Sequence, residues 1–364
     1  MKRMSKILSL VLAVVLLVGV FAACGAPATP PADSTTPPAD SGTTTPPADT
    51  KEPDAAPAET YEWKAANVLA AGGAWDIGLQ EFAKLLDEKS GGAIHLEIFN
   101  GGTLGQERDT IEGLQIGSVD FVICSSATLS NFIDTQNIWD LPYLFQTSEA
   151  ARGVLDSQIG TDCLATLSSV GIKGLGYWEN GMYILGSTKP IRTPEDMKGL
   201  RIRCIESSLQ ADLYSAFDAN GVVIPWGDIY TSLQQGVCDV TTTTLPNMYS
   251  AKQHEAAKYI TQANQIYGPA PLLMSQDLWD SLPADIQAIV QEAADEAKLV
   301  ERAAVDAALA ETIEIVTNEG CEVIQVDTAA FAAIVEPLYD KYVGTMGITQ
   351  EMFDAVRAEA EKYY

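Results

Sequence analysis

Residues 199–247 read GLRIRCIESSLQADLYSAFDANGVVIPWGDIYTSLQQGVCDVTTTTLPN, and this stretch decides the fold. Leu200 to Ile205 alternates in the period-2 pattern of a half-buried strand. Leu209, Leu213 and Phe217 then recur at helical spacing, and Asn220-Gly221 is a helix stop signal. Val222 to Pro225 reads as a buried strand. Asp228 is placed to cap a second helix that ends at Gly236, and Val237 to Thr242 reads as a third strand. Strand, helix, strand, helix, strand in so few residues is α/β with crossover connections, hence mostly parallel pairing.

Arg203 lies at the end of an otherwise apolar strand. In open α/β sheets ligands bind beyond the carboxyl ends of the strands, and a guanidinium fork matches a carboxylate in two parallel hydrogen bonds. Two readings stay open. Arg203 anchors an acidic ligand, or it pairs with an Asp or Glu of the chain, since arginine rarely goes inside unpaired.

Working outward, Leu114-Gln115-Ile116-Gly117-Ser118-Val119-Asp120 echoes Leu233-Gln234-Gln235-Gly236-Val237-Cys238-Asp239, 119 residues later. Each copy ends a helix on glycine and places Asp before a strand that finishes in hydroxyls, Ser125-Ser126 in one and Thr241 to Thr244 in the other. The echo predicts two lobes of similar build whose hydroxyl-rich strand ends face a shared cleft, with helix capping as the alternative use of those hydroxyls. Upstream, Trp63 to Ala70 reads as a strand and Asp76 to Glu88 as a helix with Ile77, Phe82, Leu85 and Leu86 inward. Downstream, Gly174 to Leu185 is apolar and carries Tyr177, Trp178, Glu179 and Asn180. Its aromatics suit a core or the apolar face of a ligand. Ala284 to Asn318 consists almost entirely of helix formers.

The N-terminus has a different character. Lys2, Arg3 and Lys6 precede an apolar run, Ile7 to Phe21, and Ala22-Ala23-Cys24-Gly25 follows, so residues 1–23 read as a signal peptide. Cysteine after a small pair reads as a lipobox, with Cys24 diacylated after cleavage and Phe21 standing where leucine is usual. Ordinary cleavage beside a chance cysteine is the alternative. Residues 24–60, rich in Pro, Thr, Ala and Asp with a repeated TPPAD, are too poor in large apolar residues to fold and read as a disordered tether.

A formal net charge of −27 disfavours nucleic acid and anionic membrane surfaces as partners. The two histidines, His95 and His254, have no ligand-like company. Cys124, Cys163, Cys204, Cys238 and Cys321 form no CxxC pair, and an odd number precludes complete pairing. No GxSxG, P-loop or GxGxxG is present, so neither a catalytic residue, a metal nor a cofactor is expected.

GLRIR, PWGDIYTSLQQGVCD and HEAAKYIT, with GGTLGQERDTIEGLQIGSVDF, DLPYLF, TPEDMKGLRIR and LWDSLPADIQ in order, resemble the solute-binding proteins of TRAP (tripartite ATP-independent periplasmic) transporters over about residues 61–364. The resemblance implies a two-lobe, periplasmic-binding-protein-like (Venus flytrap) α/β fold with hinge strands and a long bridging helix. It places lobe I at about 61–180 plus 269–308 and lobe II at about 181–268 plus 309–364. It implies an extracytoplasmic lipoprotein on the outer face of the cell membrane that delivers an organic acid to TRAP membrane subunits. A ligand-sensing receptor of the same fold is the alternative. In the family the second arginine of the strand, here Arg203, anchors the carboxylate. A second family arginine is replaced, since Asn180-Gly181 is followed by Met182-Tyr183, and the family's asparagine falls on Thr243. The remaining contacts are therefore expected from Trp178, Asn180, Tyr183, Trp226 and Thr243, with Glu179 and Glu206 accepting from ligand hydroxyls. That set favours a sugar acid or other hydroxylated monocarboxylate over a dicarboxylate.

Overall fold

A computed structural model of the chain describes residues 60–364; the expected signal segment, Cys24 and the tether lie outside them. Strands β1 (Tyr61–Ala66), β2 (Ile94–Phe99), β3 (Phe121–Ile123), β4 (Ile172–Met182) and β5 (Ile184–Ser187) are followed by β6 (Arg201–Cys204), β7 (Asn220–Val223), β8 (Val240–Thr243), β9 (Tyr259–Gln262), β10 (Tyr267–Ser275) and β11 (Glu322–Gln325). They form two sheets, one in the order β2-β1-β3-β10-β4 and one in the order β11-β9-β5-β8-β6-β7.

The two sheets share a motif. β1 pairs in parallel with β2 and β3, and β6 pairs in parallel with β7 and β8. In both, helices cross between the paired strands: Ala74–Ser90 and Glu107–Gln115 in the first, Ser208–Ser215 and Ile229–Gln234 in the second. The sequence echo marks the same joint in each. Gly117 and Gly236 take left-handed φ values of 70° and 66°, which glycine adopts without steric cost. Asp120 then exchanges bonds with the backbone of Lys64, accepting from its N–H at 2.8 Å and donating to its carbonyl at 3.2 Å. Asp239 does the same with Arg201, at 2.9 and 2.8 Å. Each aspartate stitches the third strand of its motif to the first.

The chain passes between the sheets where β4 runs into β5 through Tyr183, and again between β9 and β10. The helix Ala284–Asn318, 35 residues and therefore roughly 50 Å long, spans both. Val290, Ala293, Ala294 and Ala297 pack into the core of the first sheet, while Val316 packs into the core beneath the second. The helix Gln350–Ala360 packs beside the helices that cover the first sheet. Its Phe353, Val356 and Ala360 pack on Ala150, Ala151 and Val154 of the helix Ser148–Asp156, which itself lies against β4.

Four local readings need correction. Ile77 is 40% exposed, and Leu79 takes the inward position between Trp75 and Phe82. β7 is the edge strand of its sheet, with Val223 half exposed, and it begins at Asn220, so the turn before it falls at Asp218 with φ 55°. Asp228 makes no side-chain cap bond to the helix that follows it. His254, expected on a polar helix, is buried in a 3-10 turn, and its Nε2 lies 2.9 Å from the Glu319 carboxylate.

Candidate functional site

A cavity of about 260 Å³ opens at the carboxyl ends of the parallel strands, walled by residues of both sheets' loops. That is near the lower end of small-molecule sites, roughly 300–1,000 Å³, and suits a compact ligand. Arg203 lies on its wall, 5% exposed, in β6 at the centre of the second motif. Its Nε donates to the Ile224 carbonyl at 3.0 Å and one Nη to the Thr242 carbonyl at 3.2 Å. Among the described residues no carboxylate forms an ion pair with it, which removes the internal Asp or Glu partner left open by the sequence. Burial pulls its pKa below the ordinary arginine value, while Tyr183 and Glu107 push it back up. Two neutral carbonyls hold the guanidinium in place and leave its charge uncompensated. A desolvated cation in this condition favours an anion at hydrogen-bond distance.

Of the other expected residues, Thr243, Asn180, Tyr183, Trp226 and Glu206 share this cavity with Arg203. Asn180 Oδ1 accepts from Asn247 Nδ2 at 3.0 Å, and Asn180 Nδ2 donates to the Tyr183 hydroxyl at 3.4 Å, so the hinge residues and the segment after β8 are linked on the cavity wall.

Trp178 and Glu179 are placed elsewhere. Trp178 is fully buried in the first core, its ring against Gly78 of the helix Ala74–Ser90. Glu179 is also fully buried, and its carboxylate is consumed by Arg152, at 2.8 Å to Nε, and by the Tyr267 hydroxyl. The register of β4 against β10 skips Asn180, between Glu179 and Gly181, and this bulged residue reaches the cavity while Glu179 turns toward Arg152. Arg152 also grips Asp306 of the long helix through two bonds, at 2.8 and 3.0 Å. Glu179 is thus part of the scaffold that ties the hinge to that helix.

Glu107, Arg108, Asp109 and Asn247 are among the wall residues that were not anticipated. Glu107 accepts from the Ser125 amide at 2.8 Å, from the Ser125 hydroxyl at 2.7 Å and from the Thr128 hydroxyl. The hydroxyl-rich end of β3 therefore both caps its own helix, through Ser125, and sets a carboxylate in the cavity. Arg108 pairs with Glu206 across the cavity at 2.7 Å. For Glu107 and Arg108 the repeated motif around the echo offered a signal; for Asn247 the sequence offered none. Gln106 to Arg108 open the second helix of the first motif, as Trp226 to Asp228 precede that of the second, so both loops face the same cleft.

Among the described residues no cluster of His, Cys, Asp and Glu could hold a metal ion, and no helix is long and apolar enough to cross a membrane. Cys124, Cys163, Cys204, Cys238 and Cys321 are buried free thiols.

Two α/β lobes, joined by strands that cross between them and closing on a small charged cavity, define a solute-binding architecture. Residues 65–345 match the family model described as DctP, bacterial extracellular solute-binding protein, family 7. The chain belongs to this family, that of the TRAP transporter solute-binding proteins. It is 28% identical over 306 residues, 83% of this chain and 91% of the relative, to the C4-dicarboxylate-binding periplasmic protein DctP of Rhodobacter capsulatus. Crystal structures of two TRAP periplasmic solute-binding proteins are similar throughout. That from Xanthobacter autotrophicus, with bound β-D-galacturonate, is 31% identical with a TM-score of 0.78, over 81% of this chain and 99% of its own. That from Polaromonas, bound to D-erythronate, is 29% identical with a TM-score of 0.79, over 82% and 99%.

Proposed function

We propose that the protein captures an organic-acid anion in the cavity between its lobes, with the carboxylate seated on Arg203, and delivers it to TRAP-type membrane subunits. The observation that carries this reading is the buried Arg203 guanidinium on the cavity wall, held by carbonyls and paired with no carboxylate among the described residues. The walls also offer neutral donors and acceptors in Asn180, Tyr183, Thr243 and Asn247, and an indole in Trp226. Three carboxylates, Glu107, Asp109 and Glu206, line the same space. They repel a second ligand carboxylate and accept from ligand hydroxyls. The reading is therefore a polyhydroxylated monocarboxylate, a sugar acid such as the galacturonate and erythronate held by the two solved relatives. The dicarboxylate relative supplies the competing reading. A thermal-shift screen of uronates, aldonates and C4 diacids decides between them. At a hundred times its dissociation constant a true ligand adds about 2.7 kcal/mol of stability. Upward shifts with hydroxylated monoacids and none with succinate are expected; shifts with diacids alone would contradict this account of the cavity.

The N-terminal reading completes the proposal. Residues 1–23 direct export, Cys24 carries the lipid, and 24–60 tether the lobes to the outer face of the membrane. Two acyl chains suffice for stable anchoring where one does not.

A further inference from the structure

The cavity wall carries two guanidiniums, and only one is left uncompensated. Arg108 stands at the start of the helix Glu107–Gln115, on the side of the first sheet, and Glu206 follows β6 on the side of the second. Arg108 directs Nε to Glu112 at 3.2 Å and Nη1 to Glu206 at 2.7 Å, with its guanidinium 5.6 Å from the Phe132 ring. The Glu206 carbonyl also accepts from Asn131 Nδ2 at 2.5 Å, fixing the backbone from which its side chain reaches across.

The other wall carboxylates are engaged differently. Glu107 is held by the donors of Ser125 and Thr128, and Asp109 accepts from the Gln106 amide at 2.9 Å within its own helix start. Glu206 is thus the wall carboxylate that pairs, across the cavity, with a second cation of the wall.

Resting on the reading of the protein as an organic-acid receptor, we propose that Glu206 is its specificity-determining residue against dicarboxylates. By holding Arg108 across the cavity, Glu206 withholds the one guanidinium that could take a second ligand carboxylate. A monoacid seats on Arg203 and leaves the Arg108–Glu206 pair in place, with Glu206 still able to accept from a hydroxyl. A diacid must break that pair and bring its own charge up to the carboxylate it displaces. Removing the charge of Glu206 while keeping its shape frees Nη1 of Arg108, and the same cavity then presents two cations to a diacid.

Calorimetric titration of D-galacturonate, D-erythronate and succinate into wild type, Glu206→Gln and the double variant Arg108→Met/Glu206→Gln tests this. Wild type is expected to take at least one of the hydroxy monoacids and to bind succinate at least tenfold more weakly. In Glu206→Gln the ratio of succinate to monoacid affinity rises at least tenfold, and in the double variant that gain is lost. An unchanged ratio in Glu206→Gln, alongside normal monoacid binding by wild type, overturns the role of Glu206 and leaves the receptor reading intact. A gain that persists without Arg108 also overturns it, because the freed cation is then not the cause. Wild-type protein that binds succinate alone, or none of the three acids, overturns both. Melting curves on each variant separate loss of binding from loss of fold.

Discussion

Arg203 concentrates the account at the scale of one residue. It sits inside a strand where its neighbours Ile202 and Cys204 are buried, and its guanidinium bonds to two backbone carbonyls with no ion-pair partner among the described residues. Lysine at this position keeps the charge and loses the fork that reaches the Ile224 and Thr242 carbonyls while still facing the cavity. A charge-assisted hydrogen bond contributes about 1.5–3 kcal/mol, so Arg203→Lys is expected to weaken acid binding at least tenfold by calorimetry with a near-normal melting curve. Unchanged affinity in a folded variant would return Arg203 to a structural role. The residue was legible in the sequence because a charge in an apolar strand needs a reason. Glu179 was misplaced for a related cause. Its neighbour Asn180 faces the cavity, but its partner Arg152 lies 27 residues upstream, and nothing in the local pattern indicates that pairing.

At the scale of elements, the long helix was readable to its ends, because residues from Ala284 to Asn318 are almost entirely helix formers and Pro283 and Gly320 bracket them. β7 was misread because edge and central strands of four residues look alike in a sequence. Where the long helix crosses the helix Ala74–Ser90, Gly78 makes the approach possible. A Cβ there would lie 2.6 Å from the Trp178 ring and 2.8 Å from Glu301 Cβ. Overpacking of this kind typically costs about 1–3 kcal/mol, and Gly78→Val is expected to lower the urea midpoint accordingly. Glu301 itself is fully buried at this crossing, with Oε2 accepting from the Glu179 amide at 3.3 Å. Burial, and then the charge of Glu179, push its pKa well above the usual carboxylate range, against the pull of that amide and of Arg302 and Arg152. A raised carboxyl pKa means the native state keeps a proton that the unfolded chain gives up. This contribution is therefore complete below about pH 4.5 and declines as pH rises toward the native value, by at most about 1.4 kcal/mol per pH unit. Glu301→Gln, which stays neutral, is expected to be less sensitive than wild type in urea unfolding between pH 5 and 8. Equal slopes would show that Glu301 is ionised in the fold.

At the scale of the molecule, two similar motifs face each other across a cavity, joined by the crossing strands and the long helix, and the proposed capture calls for one to close on the other. A ligand stabilises closure only through contacts it makes in the closed state, and the wall residues from both sheets are the groups that would make them. The proposed lipid anchor belongs to the same scale. Cys24→Ser is expected to release the protein from membranes or to leave an unprocessed precursor, and wild type that takes up no label from palmitate would remove the lipid from the account. Recognition of a carboxylate by the cavity through Arg203 is put to the test by calorimetry of matched pairs. Each uronate or aldonate that raises the melting temperature is titrated beside the uncharged sugar or alcohol of the same skeleton. The acid is expected to bind and its neutral counterpart to bind at least a hundredfold more weakly; equal affinity for the two would rule out Arg203 as a carboxylate anchor.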